Sequence, residues 1–468
     1  MRIAIPYEDG VVCQHFGKAP QFKIFDVQPQ GIVESVVIDS EASGHEALAE
    51  FLATQSVQAV ICGGIGQGAL VSLAQSGIDV LPGVSGNPDE VIEALIAGLD
   101  TDAMERQRGI TIFSKQAVFR IGNMRVTLLD TPGHIDFSAE MERTLQVLDY
   151  AVLVINGADG VQGHTRTLWR LLERYQIPVF LFINKMDQFK GNDEEKQEEQ
   201  ERLLASLQKE LSTSCLDFGG EWDAAFLENL ALCEEEVLEH YLESGEVEEA
   251  DIVKMVAQRK VFPCYFGSAL KEEGVDKFLK GVETYTAERK YGDKFAARVF
   301  KIARDAQGNR LTYLKVTGGT LRVKDMLNGK AGEEEWAEKV NQIRIYSGEK
   351  YEAVSEAAAG TVCAVTGLTK TYPGEGLGIE EESILPVLEP VRSVKLVLPK
   401  EVPVAVMLPK LKQLEEENPE LHIVYREETG EILIKLMGEV QLEILQKLVK
   451  ERYGVVVEFG EEKIIYKE

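Results

Sequence analysis

Four short polar motifs, standing at the ends of strand-length apolar runs, set the frame for this chain. Arg108-Gly109-Ile110-Thr111 comes first, followed by Asp130-Thr131-Pro132-Gly133-His134, Asn184-Lys185-Met186-Asp187 and, last, Gly267-Ser268-Ala269. Loops at the carboxyl ends of parallel strands are where open α/β sheets hold their ligands. An omission constrains the chain as firmly. A glycine-rich loop ending in Lys-Ser/Thr should precede such a series, and no such sequence occurs anywhere in the 468 residues.

The residue types in the motifs suit a guanine nucleotide with Mg²⁺. An Asp-x-x-Gly step after a buried strand sets Asp130 near the metal and the Gly133 amide against a terminal phosphate, with Thr131 and Pro132 between them. Thr111 can offer its hydroxyl to the same metal. Asp187 is placed to accept from two adjacent donors on guanine's edge; adenine lacks that pair and would leave the site's polar groups unpaired. Asn184 and Lys185 brace the base, while Ser268 and Ala269 offer backbone donors to its carbonyl. His134, directly after the turn, is placed to orient an attacking water. Any one of these motifs also reads as a plain strand-end turn. That reading does not extend to all four in this order.

The patterning predicts an α/β multidomain chain. Residues 1–100 form a small α/β domain, with strands at Arg2–Pro6, Gln21–Asp26, Ile32–Ile38 and Gln58–Cys62 and helices at His45–Thr54, Ala69–Gln75 and Asp89–Ala97. Residues 101–290 alternate strands (Val126–Asp130, Ala151–Asn156, Val179–Asn184, Val261–Gly267) with helices, the pattern of a parallel sheet covered on both faces. Residues 291–380 read as a β-barrel, and residues 388–468 as a ferredoxin-like α+β unit.

These motifs carry a resemblance. Thr101–Glu468 resembles the translational GTPases of the elongation factor G class, especially the tetracycline-resistance ribosomal protection proteins, through Glu105–Ile112, Asp130–Phe137, Ile183–Gln188 and Phe262–Leu270. Gly318-Gly319-Thr320-Leu321 resembles that family's barrel domain, and Met437–Glu443 its third domain. The resemblance implies GTP and Mg²⁺ as cofactors and the ribosome as partner. It makes Thr111 and Asp130 the Mg²⁺-binding residues and His134 the catalytic, water-positioning histidine. Asn184, Lys185 and Asp187 would read guanine, with Ser268, Ala269 and Leu270 completing the base loop. Two departures stand out. The opening strand, phosphate loop (P-loop) and first helix of the G domain are missing, and the fourth and fifth domains are expected to be absent.

The missing loop has a calculable cost. In relatives its amides and lysine neutralise the β- and γ-phosphates. Charge-assisted hydrogen bonds contribute about 1.5–3 kcal/mol each, so losing three costs roughly 5–9 kcal/mol, or about four to six decades in affinity. GTP hydrolysis is therefore expected to be impaired. The missing strand would also have stood mid-sheet, leaving two unpaired apolar edges. Gly63-Gly64-Ile65-Gly66-Gln67-Gly68 could cradle an anion ahead of a helix, but Ala69-Leu70 stands where Lys-Ser/Thr is required.

Residues 1–100 resemble the dinitrogenase iron–molybdenum cofactor biosynthesis domain through Gln14–Gly17, Gly44-His45, Cys62–Gly66 and Gly83–Gly86. Cys13, His15, His45 and Cys62 could converge on an iron–sulfur or iron–molybdenum cluster. Equally, Cys62 ends an apolar strand as a packed residue, and His45 simply begins a helix. The alternative function is thus a non-catalytic cluster carrier with an inert GTPase-like body, or a gene-fusion fragment.

Composition narrows the classes further. The net charge of −28 argues against broad nucleic-acid binding through a basic surface but leaves room for local docking on a ribosome. No sequence-specific nucleic-acid partner is expected. Met1–Ile5 lacks the apolar core of a signal peptide and the apolar runs are far short of a membrane span, so a cytoplasmic chain with no membrane partner is expected. The six scattered cysteines, at 13, 62, 215, 233, 264 and 363, read as reduced thiols.

Overall fold

The structure, a computed structural model, describes residues 2–464 apart from 9, 14–15, 29–30, 41–44, 64, 82–86, 90–91, 93–110, 113, 123, 306, 332–333, 349 and 381–385. Two compact units divide the chain, Met1–Asp102 and Ala103–Glu468.

The first unit is built on one mixed sheet. Gly31–Asp39, Gln21–Gln28 and Arg2–Glu8 run antiparallel, and Arg2–Glu8 continues parallel into Ala59–Ile61 and Asp79–Leu81. Alternation along the strands divides the side chains between two clusters. Ala4, Phe22, Ile24 and Val60 meet Leu48, Leu52 and Leu73 of the helices His45–Thr54 and Gln67–Gln75. Ile3, Ile5, Phe25 and Ile61 pack on Ile92. Most of the helix expected over Asp89–Ala97 lies outside the described residues.

In the second unit, Cys215–Asp217, Phe262–Phe266, Val179–Asn184 and Ala151–Asn156 form a four-stranded parallel sheet in that order among the described residues. Val179–Asn184 is apolar up to Ile183 because both its faces are covered. Ala151–Asn156 ends the sheet, and its outward Val152 and Val154 stay 43% and 57% exposed. Val126–Asp130, expected within the parallel sheet, belongs instead to an antiparallel hairpin of Lys115–Ile121 with Met124–Asp130. Among the described residues no strand pairs it with Ala151–Asn156. The short strand Cys215–Asp217 was not expected; three residues carry too little pattern to be seen.

The barrel's main sheet runs Lys350–Val354, Gln342–Ser347, Val362–Thr366, Arg310–Gly318, Ala296–Arg304, Gly376–Gly378. Beyond it, Val424–Arg426, Glu431–Leu436, Arg392–Val397 and Glu458–Ile464 make an antiparallel sheet in that order, packed with the helices Val404–Glu417 and Glu439–Tyr453. That strand order and the β-α-β-β-α-β succession are ferredoxin-like.

One short helix, Ser138–Leu145, joins these parts, and all eight of its residues are buried. Met141 and Leu145, one turn apart, enter the core of the parallel sheet. Glu140 meets Lys301 of the barrel at 2.9 Å and accepts from Ser114 N at 2.8 Å. Glu142 accepts from Tyr175 Oη and from the amides of Val387 and Leu388, at 2.7–2.9 Å. Arg143 reaches Glu420 of the third domain at 2.6 Å, both side chains being buried. A second set of ion pairs closes the triangle: Lys315 to Asp149 at 2.6 Å and Arg304 to Glu416 at 2.8 Å.

Breaking one member of a buried pair strands the other charge. Arg143→Ala is expected to lower the stability of the body by about 3–5 kcal/mol, whereas Arg143→Met with Glu420→Leu should cost far less. Equilibrium denaturation of the whole chain measures both; equal losses in the two variants would show that packing rather than charge dominates.

Candidate functional site

The loops at residues 184–187 and 267–269 lie at the carboxyl edge of the parallel sheet, where Asn184 pairs in register with Asn156 and Ile183 with Phe266. Asn184 Oδ1 accepts from Lys185 N at 2.8 Å and from Ala269 N at 2.9 Å, binding the two loops to each other. Lys185 adopts the left-handed region, φ 66°, which reverses the chain into the turn Met186–Gln188 that presents Asp187. Met186 N donates to Gly267 O and Gly267 N to Ile183 O, both at 3.0 Å. Gly267 is demanded by close approach, since a Cβ there would lie 2.2 Å from Glu273 O.

Two expected donors behave differently. Ser268 N donates to Glu273 O, and Ala269 N to Asn184, so in this geometry both amides brace the loop. The Ser268 hydroxyl is buried without a hydrogen-bond partner among the described residues. Leu270 is 88% exposed at the loop's rim, an apolar surface beside the place where a base would lie.

The run at residues 130–134 closes the hairpin. Asp130 ends its second strand and is exposed, Thr131 is half-buried, Pro132 is buried and Gly133 is exposed. His134 is half-buried; its Nδ1 accepts from Asp136 N at 3.2 Å, and its ring lies 6.1 Å from that of Phe137. Thr111 is half-buried, and its neighbour Ile112 packs with Phe137 and Ile444. One apolar cluster therefore holds the segments of Thr111 and His134 against the third domain. Residues 105–110 of the first motif lie outside the described residues. Gly63–Gly68 belongs to the first unit, where Leu70 N donates to Gly66 O at the start of a helix.

Sequence reasoning gave no role to Asp136 or His164. Asp136 stood inside the quoted run but carries no motif function of its own. His164 lies at the start of the helix Gly163–Arg174, and both its ring nitrogens are buried without a hydrogen-bond partner among the described residues. Burial, and secondly the charge of His134, hold its pKa below the ordinary histidine range.

In the first unit, Cys13 and Cys62 are buried thiols. Cys13 Sγ lies 3.4 Å from Glu8 Oε2, and burial pushes the Cys62 thiol up to about 11. His15 and the side chain of His45 lie outside the described residues. Among the described residues no three His, Cys, Asp or Glu side chains come together to hold a metal ion, and no helix is long and apolar enough to cross a membrane.

Comparison with known proteins gives each part a relative. Residues 79–288 match the elongation factor Tu GTP binding domain, 294–377 match elongation factor G domain 2, and 389–461 match elongation factor G domain III. Residues 1–98 match the dinitrogenase iron-molybdenum cofactor family. The GTP-domain match begins upstream of Thr101 and overlaps the cofactor-domain match over residues 79–98. The tetracycline resistance protein TetP of Clostridium perfringens is 31% identical over 396 residues, covering 80% of this chain and 60% of that protein. Elongation factor G of Ureaplasma parvum is 28% identical over 438 residues, covering 80% and 63%. A crystal structure of a Thermus thermophilus protein superposes with a TM-score of 0.65 at 25% identity, covering 77% of this chain and 61% of that one. The chain thus spans about three fifths of the length of the relatives it matches.

His164 makes the stability of this region depend on pH. Its folded pKa is depressed, so the unfolded chain takes up a proton more readily; its contribution is complete above about pH 6.5 and is lost as pH falls through the folded value. The unfolding midpoint should drop between pH 7.5 and pH 5.5 by more in the wild type than in His164→Gln, as differential scanning fluorimetry would record.

Proposed function

We propose that this chain is a ribosome-acting, GTP-binding factor of the elongation factor G and ribosomal protection type, with a nucleotide site that grips the purine and lacks much of the grip on the phosphates. The observation behind this reading is the Asn184 carboxamide, which ties the Asn-Lys-x-Asp loop to the Gly-Ser-Ala loop. Such a brace fixes the two loops relative to each other, as a base held between them would require. In this reading Asp187 reads guanine, Asn184 and Lys185 support it, and Leu270 covers the base's apolar face. Asp130 and Thr111 would hold Mg²⁺, which when bound neutralises phosphate charge, and His134 would orient water.

The donors fit the purine half of GTP better than its tail, for no glycine-rich loop ending in Gly-Lys-Ser/Thr is present in the sequence. Positioning and charge stabilisation make up nearly all of phosphoryl-transfer catalysis, so turnover by the free chain should be very slow. Calorimetric titration of the whole chain, with and without ribosomes, should show GTP binding no tighter than high micromolar and a preference for guanine over adenine that Asp187→Ala removes. Sub-micromolar GTP binding by the free chain would refute the impaired site, and failure to co-sediment with ribosomes would refute the ribosomal partner.

A cluster-carrying role for the first unit is the second reading, and the family match is what favours it. Its described thiols, Cys13 and Cys62, are both buried, and without metal burial pushes the Cys62 thiol up to about 11, so cluster binding would have to release that proton. This reading expects stoichiometric iron and acid-labile sulfide after anaerobic purification, lost in a Cys13→Ala/Cys62→Ala variant; iron near zero in the wild type would refute it.

A further inference from the structure

We infer that Asp136 is a positioning residue through which the third domain holds His134. The two ends of this one residue do different work. Its amide donates to His134 Nδ1 at 3.2 Å. Its carboxylate Oδ2 accepts from Val440 N at 2.8 Å and from Gln441 N at 3.4 Å, the first turn of the helix Glu439–Tyr453.

That helix has no side-chain cap of its own. Its N-cap position is Gly438, and Asp136, 304 residues upstream of Val440, supplies the missing acceptor. A capping acceptor contributes about 1 kcal/mol, and a carboxylate at a helix N-terminus gains further from the dipole. Gly438 is extended at φ −168°, a conformation open to any residue. Its glycine is needed for space: a Cβ would lie 2.2 Å from Asp136 Oδ1. The joint is sealed by Ile112, Phe137 and Ile444, and beside it Arg143 and Gln441 both reach Glu420. Asp136 itself is only 6% exposed, so water does not compete for its oxygens.

The consequence for His134 is chemical. Nδ1 also lies 3.6 Å from Asp136 Oδ1, and with the shorter contact, the amide N–H, donating to Nδ1 the neutral ring carries its proton on Nε2. Docking of the third domain fixes Asp136, Asp136 fixes the Nδ1 lone pair, and the ring is left to donate from Nε2 to whatever lies before it. By linkage, whatever reorients His134 must also loosen the third domain's helix. The importance of this for hydrolysis rests on His134 as the water-positioning group, but the coupling itself exists without nucleotide.

The test is nitrogen-15 NMR of the whole chain labelled at histidine, with His134 assigned by its loss in His134→Gln, alongside amide hydrogen exchange. No nucleotide is added, so the outcome is separate from any failure of GTP binding. In the wild type His134 should show the Nε2–H tautomer alone. Gly438→Ala, which drives the helix off Asp136, should give a mixture of tautomers and speed exchange at residues 134–138 by about 5–150-fold, the usual range of site coupling. Asp136→Asn keeps an oxygen acceptor and should retain the single tautomer, whereas Asp136→Ala should lose it. Should Gly438→Ala fail to fold, the Asn and Ala pair carries the same comparison. A tautomer unchanged in Gly438→Ala or in Asp136→Ala, with exchange rising only at Val440 and Gln441, would reduce Asp136 to a cap and overturn the coupling.

Discussion

The body of this protein depends on three charged side chains held out of water on a single eight-residue helix. Glu140, Glu142 and Arg143 face three directions, and each is answered by a different part of the chain: the barrel, the segment at 387–388 and the third domain. A helix of this length has no stability by itself, and burying such charges without partners would be prohibitive. Burial alone would raise the pKa of Glu140. Lys301, Arg143 and the Ser114 amide outweigh that effect and hold it below the usual carboxylate range. Buried ion pairs add little net stability over an apolar core, but they strongly penalise any arrangement in which one partner is absent. The helix therefore acts as a geometric condition on its three neighbours, satisfied only when all are in place.

That condition explains how the fold survives an interrupted sheet. A hairpin cut off from its parallel neighbours should be free to drift, because two-stranded hairpins are marginal alone. Here Lys115–Ile121 is fastened to the barrel: Gly348 N donates to Gln116 O, Val118 N to the Ser347 hydroxyl, and the Gln116 amide to Val362 O. Lys301 also donates to Ser114 O. The barrel supplies the attachment that the sheet does not. The cost appears as apolar exposure, at Val152 and Val154 on one side of the break and Leu128 on the other.

The sequence disclosed the parts whose meaning is local. The strand-end turn at residues 184–187 was legible because polar residues there close an apolar run, and residues 179–183 because a strand covered on both faces must be apolar. The sheet break was legible from a loop that is not there. What escaped was set by distant partners. Nothing near Asp136 shows that its acceptor role is toward Val440, and nothing in Ser138–Leu145 distinguishes a wholly buried helix from a solvated one, since its polar residues look like a surface. The acceptors of the Ser268 and Ala269 amides were hidden for the same reason. Which acceptor they find is decided by Glu273 and Asn184, one just downstream and one far upstream.

The two halves of a nucleotide site have unequal duties, and on the proposed function this chain would separate them. Guanine edge contacts discriminate strongly because a wrong base leaves polar groups unpaired, yet they are neutral or singly charged and bring modest affinity. The phosphate contacts carry most of the binding energy and nearly all of the catalysis, and they come from the loop that is missing. On the proposed function, a site keeping only the first half would select without retaining. The segments of Thr111 and His134 are packed through Ile112 and Phe137 against Ile444 of the third domain's helix. On that proposal the resting geometry of His134 would follow from domain docking, and nucleotide would influence it by competing with that docking.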